Sequence, residues 1–280
     1  TRSNKRGSID KILNHFVRFG ADENILYEAH PHIGTNKLPQ IITAMRNQII
    51  DCGGQFLFEK KVTDFIIENN TVSAVKTADG NRFDGDAFIL ATGHSARDIF
   101  ELLHQKNILI EAKPFALGVR IEHPQELINE CQYKSNATNH VLPPAAYSLV
   151  QQINGRGVFS FCMCPGGIIA PAATSANELV VNGWSPSKRN NPYANSGMVV
   201  TVELEDILKE FRSLEKFRSL DASNPLLMMY FQQMVEQNCF SAGGGKFVAP
   251  AQRMVDFSNN TSSSTLPNCS YQRGLATTNL

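Results

Sequence analysis

Cys162 and Cys164, separated by one residue, are the side chains in this 280-residue sequence best suited to chemistry of their own. On a strand, positions i and i+2 point to the same face, so the two thiols can act together as a redox couple or as half of a metal site. A tetrahedral zinc site needs further ligands at regular spacing, and no second Cys/His pair supplies them, so no metal is expected. Buried structural thiols are the plainer reading. Arg120 and His123, at the end of another apolar run, offer cationic groups for an anionic substrate, or they serve salt bridges. Arg253, closing the segment Pro250-Ala251-Gln252-Arg253, offers the same. His30 and His32 lack carboxylate or cysteine companions and read as ordinary loop residues.

A different opportunity lies at residues 91–97. Gly93, Ser95 and Arg97 have the outline of a nucleophile elbow, but that motif needs a small residue where Arg97 stands, which leaves a Ser95 hydrolase as the weakest reading. The alternative is that Ala91-Thr92-Gly93, at the end of an apolar strand, brings backbone close to a nucleotide with no Cβ in the way. Gly243-Gly244-Gly245-Lys246 is followed by Phe247 where a phosphate loop needs Ser or Thr, so it reads as a flexible loop. No GxGxxG follows a strand, so the usual seat for a dinucleotide pyrophosphate is missing from this sequence.

These groups must be positioned by a mixed set of elements. Ser8 precedes a helical stripe of Ile9, Ile12, Leu13, Phe16 and Val17 that Gly20 stops. A second helix runs from Lys37 to the Gly53-Gly54 pair. The period then changes to short β-rich runs at 55–58, 62–67, 72–77 and 87–91, divided by the turn pairs Asn69-Asn70, Asp79-Gly80 and Asp84-Gly85. Residues 87–91 are apolar throughout, as a central strand covered on both faces would be, and a helix over 95–105 follows. Beyond Ile108 the pattern is mainly β, with strands expected at 115–122, 146–153, 158–164, 167–173, 179–182 and 198–203. A hairpin is expected around Gly155-Arg156-Gly157, helices after Leu204 and at 226–239, and a loose loop at 258–264.

Bulk properties narrow the function. Lysine plus arginine and aspartate plus glutamate both number 26, so no basic field collects nucleic acid. No apolar run approaches the roughly 20 residues that cross a bilayer. Six cysteines are too few for a disulfide scaffold, and no signal peptide opens the chain, so a cytoplasmic setting is expected. The sequence starts at Thr1 in a basic stretch through Arg6, as an excised or processed piece would.

Five segments carry a resemblance to a known family: Glu28 to Thr35 (EAHPHIGT), Ala91 to Asp98 (ATGHSARD), Lys113 to Pro124 (KPFALGVRIEHP), Phe161 to Gly167 (FCMCPGG) and Ala249 to Arg253 (APAQR). Together they span most of the chain. They resemble a bacterial family of FAD-dependent oxidoreductases labelled NAD(FAD)-utilising dehydrogenases, similar to the glutathione-reductase-like flavoproteins. The resemblance implies an α/β to α+β fold: a partial FAD-binding domain with its β-meander over 1–107, and an inserted β-rich, substrate-facing domain with helices over 108–280. It implies that a GxGxxG unit precedes Thr1 and a flavin-closing segment follows Leu280, so that this middle portion is not expected to hold FAD alone. By the same resemblance Val62 contacts adenine through its backbone and Ala91, Thr92, Gly93 and His94 lie near the cofactor. The Cys162 to Gly167 segment approaches the flavin, with NAD(P)H as reductant and a small molecule as substrate. The competing reading is a non-catalytic module that binds a ligand or partner.

Overall fold

The first helix is set by its ends. Ser8 has extended backbone, and its hydroxyl accepts the Lys11 N–H at 3.4 Å, satisfying one of the donors that a helix start leaves open. Asp10 in the first turn and Arg18 in the last complement the helix dipole, giving α1, Ile9–Arg18. Leu13, Phe16 and Val17 of α1 pack on a core of Ala21, Ile25 and Ile41. Ile41 belongs to α2, Leu38–Asp51, where Pro39 stands in the first turn at no cost in hydrogen bonds.

The computed structural model describes residues 8–28, 30–136, 141–213 and 221–279. The basic stretch through Arg6 lies outside them. The chain divides into two compact units, one drawn from residues 1–55, 116–201 and 236–280, the other from 56–115 and 202–235.

In the second unit β1 (Val62–Glu68) and β2 (Thr71–Thr77) form the expected antiparallel hairpin, and β3 (Arg82–Asp84), where no strand was expected, pairs with β2 to extend it into a three-stranded meander. Asn69 and Asn70 turn the chain at φ +50 and +63, the left-handed pair that a tight hairpin requires. Helix α3, Arg97–Gln105, buries Ile99, and ion pairs Lys106–Asp64 (2.7 Å) and Lys61–Asp98 (2.8 Å) join its two ends to β1 and the residue before it. Both pairs are largely solvated, so they orient the helix more than they stabilise it.

Two expected strands do not form. Residues 55–58 and 87–91 make no ladder among the described residues, and 87–91 are exposed, Ile89 at 94%. An all-apolar strand needs neighbours on both sides, and β1 to β3 pair only with each other, so this run has no sheet to join.

The first unit holds a four-stranded sheet in the order β4-β9-β6-β5, from β4 (Phe115–Pro124), β5 (Val150–Ile153), β6 (Arg156–Cys164) and β9 (Tyr193–Val202). Asn154 and Gly155, both at positive φ, make the β5–β6 turn, one position earlier than the spacing indicated. Residues 146–149 precede β5 without joining it. Helix α4, Gln125–Tyr133, follows β4 directly and was not legible as a separate element. Strands β7 (Ile168–Pro171) and β8 (Val181–Trp184) pair antiparallel, and β10 (Ala249–Ala251) and β11 (Leu275–Thr277) pair parallel. Helix α7 (Met254–Ser258) lies in this unit, α5 (Leu204–Ser213) in the second, and α6 (Leu227–Ala242) runs from the second into the first. The loop at 258–264 is anchored rather than loose: the Ser263 hydroxyl donates to Asp256 Oδ2 at 2.6 Å and accepts from Arg253 N at 2.9 Å. The architecture is mixed helices with mainly antiparallel sheets, the α+β side of the expectation.

Candidate functional site

The cysteine pair sits where β6 loses register with β9. Phe161 pairs with Gly197 and Cys164 with Asn195, so Cys162 and Met163 together face the single residue Ser196. This is a β-bulge, and it puts Cys162 at φ +51, a left-handed conformation uncommon for a side chain of this kind. The Ser196 hydroxyl secures the distortion through contacts with the Phe161 and Gly197 carbonyls at 3.3 and 3.0 Å. Met163 packs on the core of Ile128, Ala145 and Ala194. Cys164 is buried, while Cys162 is exposed, so the reading of both as buried structural thiols fails for Cys162.

The two sulfurs stand 4.0 Å apart, and the Cys164 thiol also contacts the Cys162 carbonyl at 3.4 Å. Arg120 closes the arrangement from β4. Its Nη1 and Nη2 each donate to the Cys162 carbonyl at 3.2 Å, and Nη1 donates to Asn195 Oδ1 at 2.9 Å. Asn195 is wholly buried, and its Nδ2 has no hydrogen-bond partner among the described residues. Gly183 of β8 backs the group: a Cβ there would stand 2.6 Å from Arg120 Nη1 and 2.7 Å from both Asn195 Oδ1 and Cys164 Sγ.

The electrostatics follow from these contacts. The hydrogen bond from Cys164, with the charge of Arg120 behind it, lowers the Cys162 thiol to about 6. Cys164 moves the opposite way, up, because it donates to Cys162 and is buried. Among the described residues no carboxylate pairs with Arg120, so its charge is left to act on the thiol. One thiol is pushed toward the thiolate and its neighbour toward the protonated form, the arrangement in which one sulfur attacks and the other resolves.

Below the pair, the chain after Cys164 is fixed by Gln125. Its Nε2 donates to Asn129 Oδ1 and the Ala145 carbonyl, both at 2.9 Å, and its Oε1 accepts from Gly166 N at 2.7 Å. Asn195, Gly183 and Gln125 were not anticipated. The expected strand at 198–203 began after Asn195, and the polar pair Asn195-Ser196 before it carried no sign of burial.

The other sequence-derived candidates separate. His123 meets Tyr147 edge-on with ring centroids 6.1 Å apart, and burial lowers its pKa, so it is neutral at pH 7 rather than a cationic anchor. Arg253 precedes α7 and pairs with Asp256 at 3.6 Å. His32 bonds the Pro186 carbonyl at 3.2 Å, and no metal-ligating cluster occurs among the described residues. Val62, Ala91, Thr92, Gly93 and His94 lie in the second unit. Val62 opens β1, and 91–94 are exposed residues outside any helix or strand, with Gly93 at φ +76 and nothing within 4 Å of where its Cβ would stand.

Glu122, on β4 near Arg120, accepts from the Ser270 backbone N–H at 2.7 Å and from the Ser270 hydroxyl. Burial raises its pKa despite these bonds, which pull it down. A raised carboxylate contributes stability that is present below its unfolded pKa and lost as pH rises through the folded one. Urea unfolding of Glu122→Gln beside the wild type at pH 4.5 and 7 is therefore expected to shift the stability difference toward the variant at pH 7. A shift toward the wild type would overturn that sign.

The first unit also holds a cavity of about 760 Å³ lined by Leu38, Pro39, Ile42, Ile168, Trp184 and Pro186 among others. No described helix is long and apolar enough to cross a membrane.

Residues 114–280 match the family described as FAD-dependent protein, C-terminal domain-like. An uncharacterized protein of Clostridium beijerinckii is 38% identical over 257 residues, which is 91% of this chain and 46% of that relative. The chain thus spans about half the length of the curated relative it matches.

Proposed function

The chain belongs to the family of FAD-dependent protein C-terminal domain-like sequences, and from that premise we propose that it is part of a FAD-dependent oxidoreductase, supplying substrate-facing walls and one edge of the nucleotide site. The observation that carries this reading is the family match across 114–280.

Residues 91–94 fit an edge of the cofactor. They are exposed, and the open space over Gly93 lets a flat ring lie against the chain. Val62, Ala91, Thr92, Gly93 and His94 would hold that edge through backbone groups. A pyrophosphate needs more, a glycine-rich turn at a helix N-terminus, and this sequence has none after a strand. In this proposal the remainder of a longer protein provides that turn, and its sheet pairs with the apolar run at 87–91. The 46% coverage of the relative supports the idea. FAD, when bound, supplies hydride and electron transfer. This chain's contribution is to orient a small substrate, with Arg120 as a fixed positive charge for an anionic one, and NAD(P)H is the proposed reductant. A division into a partial FAD-binding domain over 1–107 and a substrate-facing domain over 108–280 belongs to the same proposal.

The test is FAD titration by visible absorbance and flavin fluorescence, with this chain beside a protein extended at both ends. Uptake by the extended protein alone is the expected result, and failure of both to bind sinks the reading. A second reading, a non-catalytic ligand-binding module, is favoured by the largely apolar cavity beside Trp184, whose volume suits a small molecule. Ligand binding by this chain that survives Gly93→Ala would support it.

A further inference from the structure

We infer that Cys162 and Cys164 form a catalytic dithiol that exchanges electrons with small disulfides, Cys162 attacking and Cys164 resolving. The proposal stands on the first unit alone and does not depend on the flavin reading.

Four observations converge. Cys162 is the exposed member of the pair and Cys164 the buried one, so an incoming disulfide meets only the first. The sulfurs are 4.0 Å apart, and a bond between them requires a closure of about 2 Å. Residues i and i+2 of a strand have Cα atoms roughly 6.5 Å apart, inside the range a disulfide spans, and a bulge shortens that distance. The left-handed backbone of Cys162 is held in place by Ser196 and by Arg120 on its carbonyl, a strained position fixed by its surroundings. Finally, the charged groups acting on the pair are both guanidinium ions, Arg120 on both thiols and Arg189 on Cys164. They favour a thiolate here and draw in a disulfide that carries carboxylates. Gly183 matters for the same reason, since a side chain there would fill the space against Cys164 Sγ.

The exchange balances without another reactant. The Cys162 thiolate forms a bond to one sulfur of the disulfide as the disulfide's own S–S bond breaks, and the other sulfur leaves as a thiolate. Cys164 gives its proton to water and attacks the Cys162 sulfur, releasing the second substrate thiolate. The dithiol has lost two electrons and become a 162–164 disulfide; the substrate has gained them as two thiolates, with one proton released. Excess thiol runs the same steps in reverse.

The full chain is to be equilibrated in glutathione buffers of graded disulfide content, quenched with acid, alkylated and mapped by peptide mass. Wild type is expected to accumulate the 162–164 disulfide, with Cys52, Cys131, Cys239 and Cys269 remaining alkylatable under the same conditions. Cys164→Ser is expected to hold glutathione on Cys162 at about 10-fold or more above wild type, because the resolving sulfur is gone. Cys162→Ser should leave Cys164 unmodified. Wild type that forms no 162–164 bond at any ratio overturns the proposal without reliance on any variant. So does Cys164→Ser protein, folded by circular dichroism, that carries no more glutathione on Cys162 than wild type.

Discussion

Alkylation of Cys162 by iodoacetamide, followed by peptide mass, is expected to rise with pH along a titration centred at about pH 6. The size of the effect depends on where it is measured. An ordinary thiol near 8.5 is about 3% thiolate at pH 7, against about 90% for one at 6, a gain of roughly 30-fold. Nucleophilicity falls with pKa, and over two and a half units a Brønsted coefficient of 0.4–0.5 takes back about 10- to 18-fold. At pH 7 the two nearly cancel, leaving about a 2- to 3-fold advantage. At pH 5.5 the thiolate ratio is roughly 240-fold, and the net advantage over an ordinary exposed cysteine is about 13- to 24-fold. Cys52 and Cys131, both exposed, provide the comparison within the same chain. Removing the donor in Cys164→Ala should move the Cys162 midpoint up by more than one unit, while Cys164→Ser, which keeps an O–H, should move it less. Arg120→Met should also raise it, by less than Cys164→Ala, since the thiol hydrogen bond is the larger cause. A wild-type midpoint above pH 8 would dispose of the activated thiolate.

How much of this was legible in the sequence depends on whether the determining interaction is local. The caps and stripe of α1, the Asn69-Asn70 turn and the β1–β2 hairpin are decided within a few residues, and each formed where its pattern indicated. Residues 87–91 failed for the opposite reason: apolar composition says that a strand wants cover, but only the fold says whether a neighbouring strand exists to give it. Helix α4 escaped because Gln125 is buried through three side-chain hydrogen bonds to distant or helical partners, so its polarity misreports its burial. At the site, the spacing of Cys162 and Cys164 announced a shared face. The consequences of the bulge, one sulfur exposed and one buried under Arg120, Asn195 and Gly183, arise from strands far apart in sequence. No period of two predicts a register shift, because an inserted residue changes the pairing without changing the composition.

The glycine that follows this motif should be the least replaceable residue near it. Gly166 has φ +54, and a Cβ there would stand 1.8 Å from the Arg189 carbonyl oxygen and 2.2 Å from its carbon, which are backbone atoms that no rotamer change can move. The left-handed conformation alone costs a residue with a side chain about 1–2 kcal/mol. Overpacking adds about 1–3 kcal/mol, so Gly166→Ala is expected to lose about 2–5 kcal/mol in urea unfolding. Two comparisons separate the contributions. Gly93→Ala shares the positive φ but meets nothing within 4 Å, so it should lose only the conformational part, about 1–2 kcal/mol. Gly118→Ala, on β4, brings a Cβ within 1.9 Å of the Met198 carbonyl oxygen at an ordinary φ, so it isolates the clash, about 1–3 kcal/mol if the strands can part. Equal losses for Gly166→Ala and Gly93→Ala would mean that the Arg189 loop yields freely, and the loop would then be no rigid support for the thiols. The expected ranking, Gly166 above both, ties the site's geometry to backbone packing: the Gly166 N–H is held by Gln125 at 2.7 Å, and the Gly166 carbonyl accepts from Asn191 N at 3.1 Å. A Cβ that forces Arg189 away must break one of these, and with it the support that holds Cys164 against Cys162. Gly166→Ala should therefore also return the Cys162 alkylation midpoint toward that of an ordinary thiol, whereas Gly93→Ala should leave it unchanged.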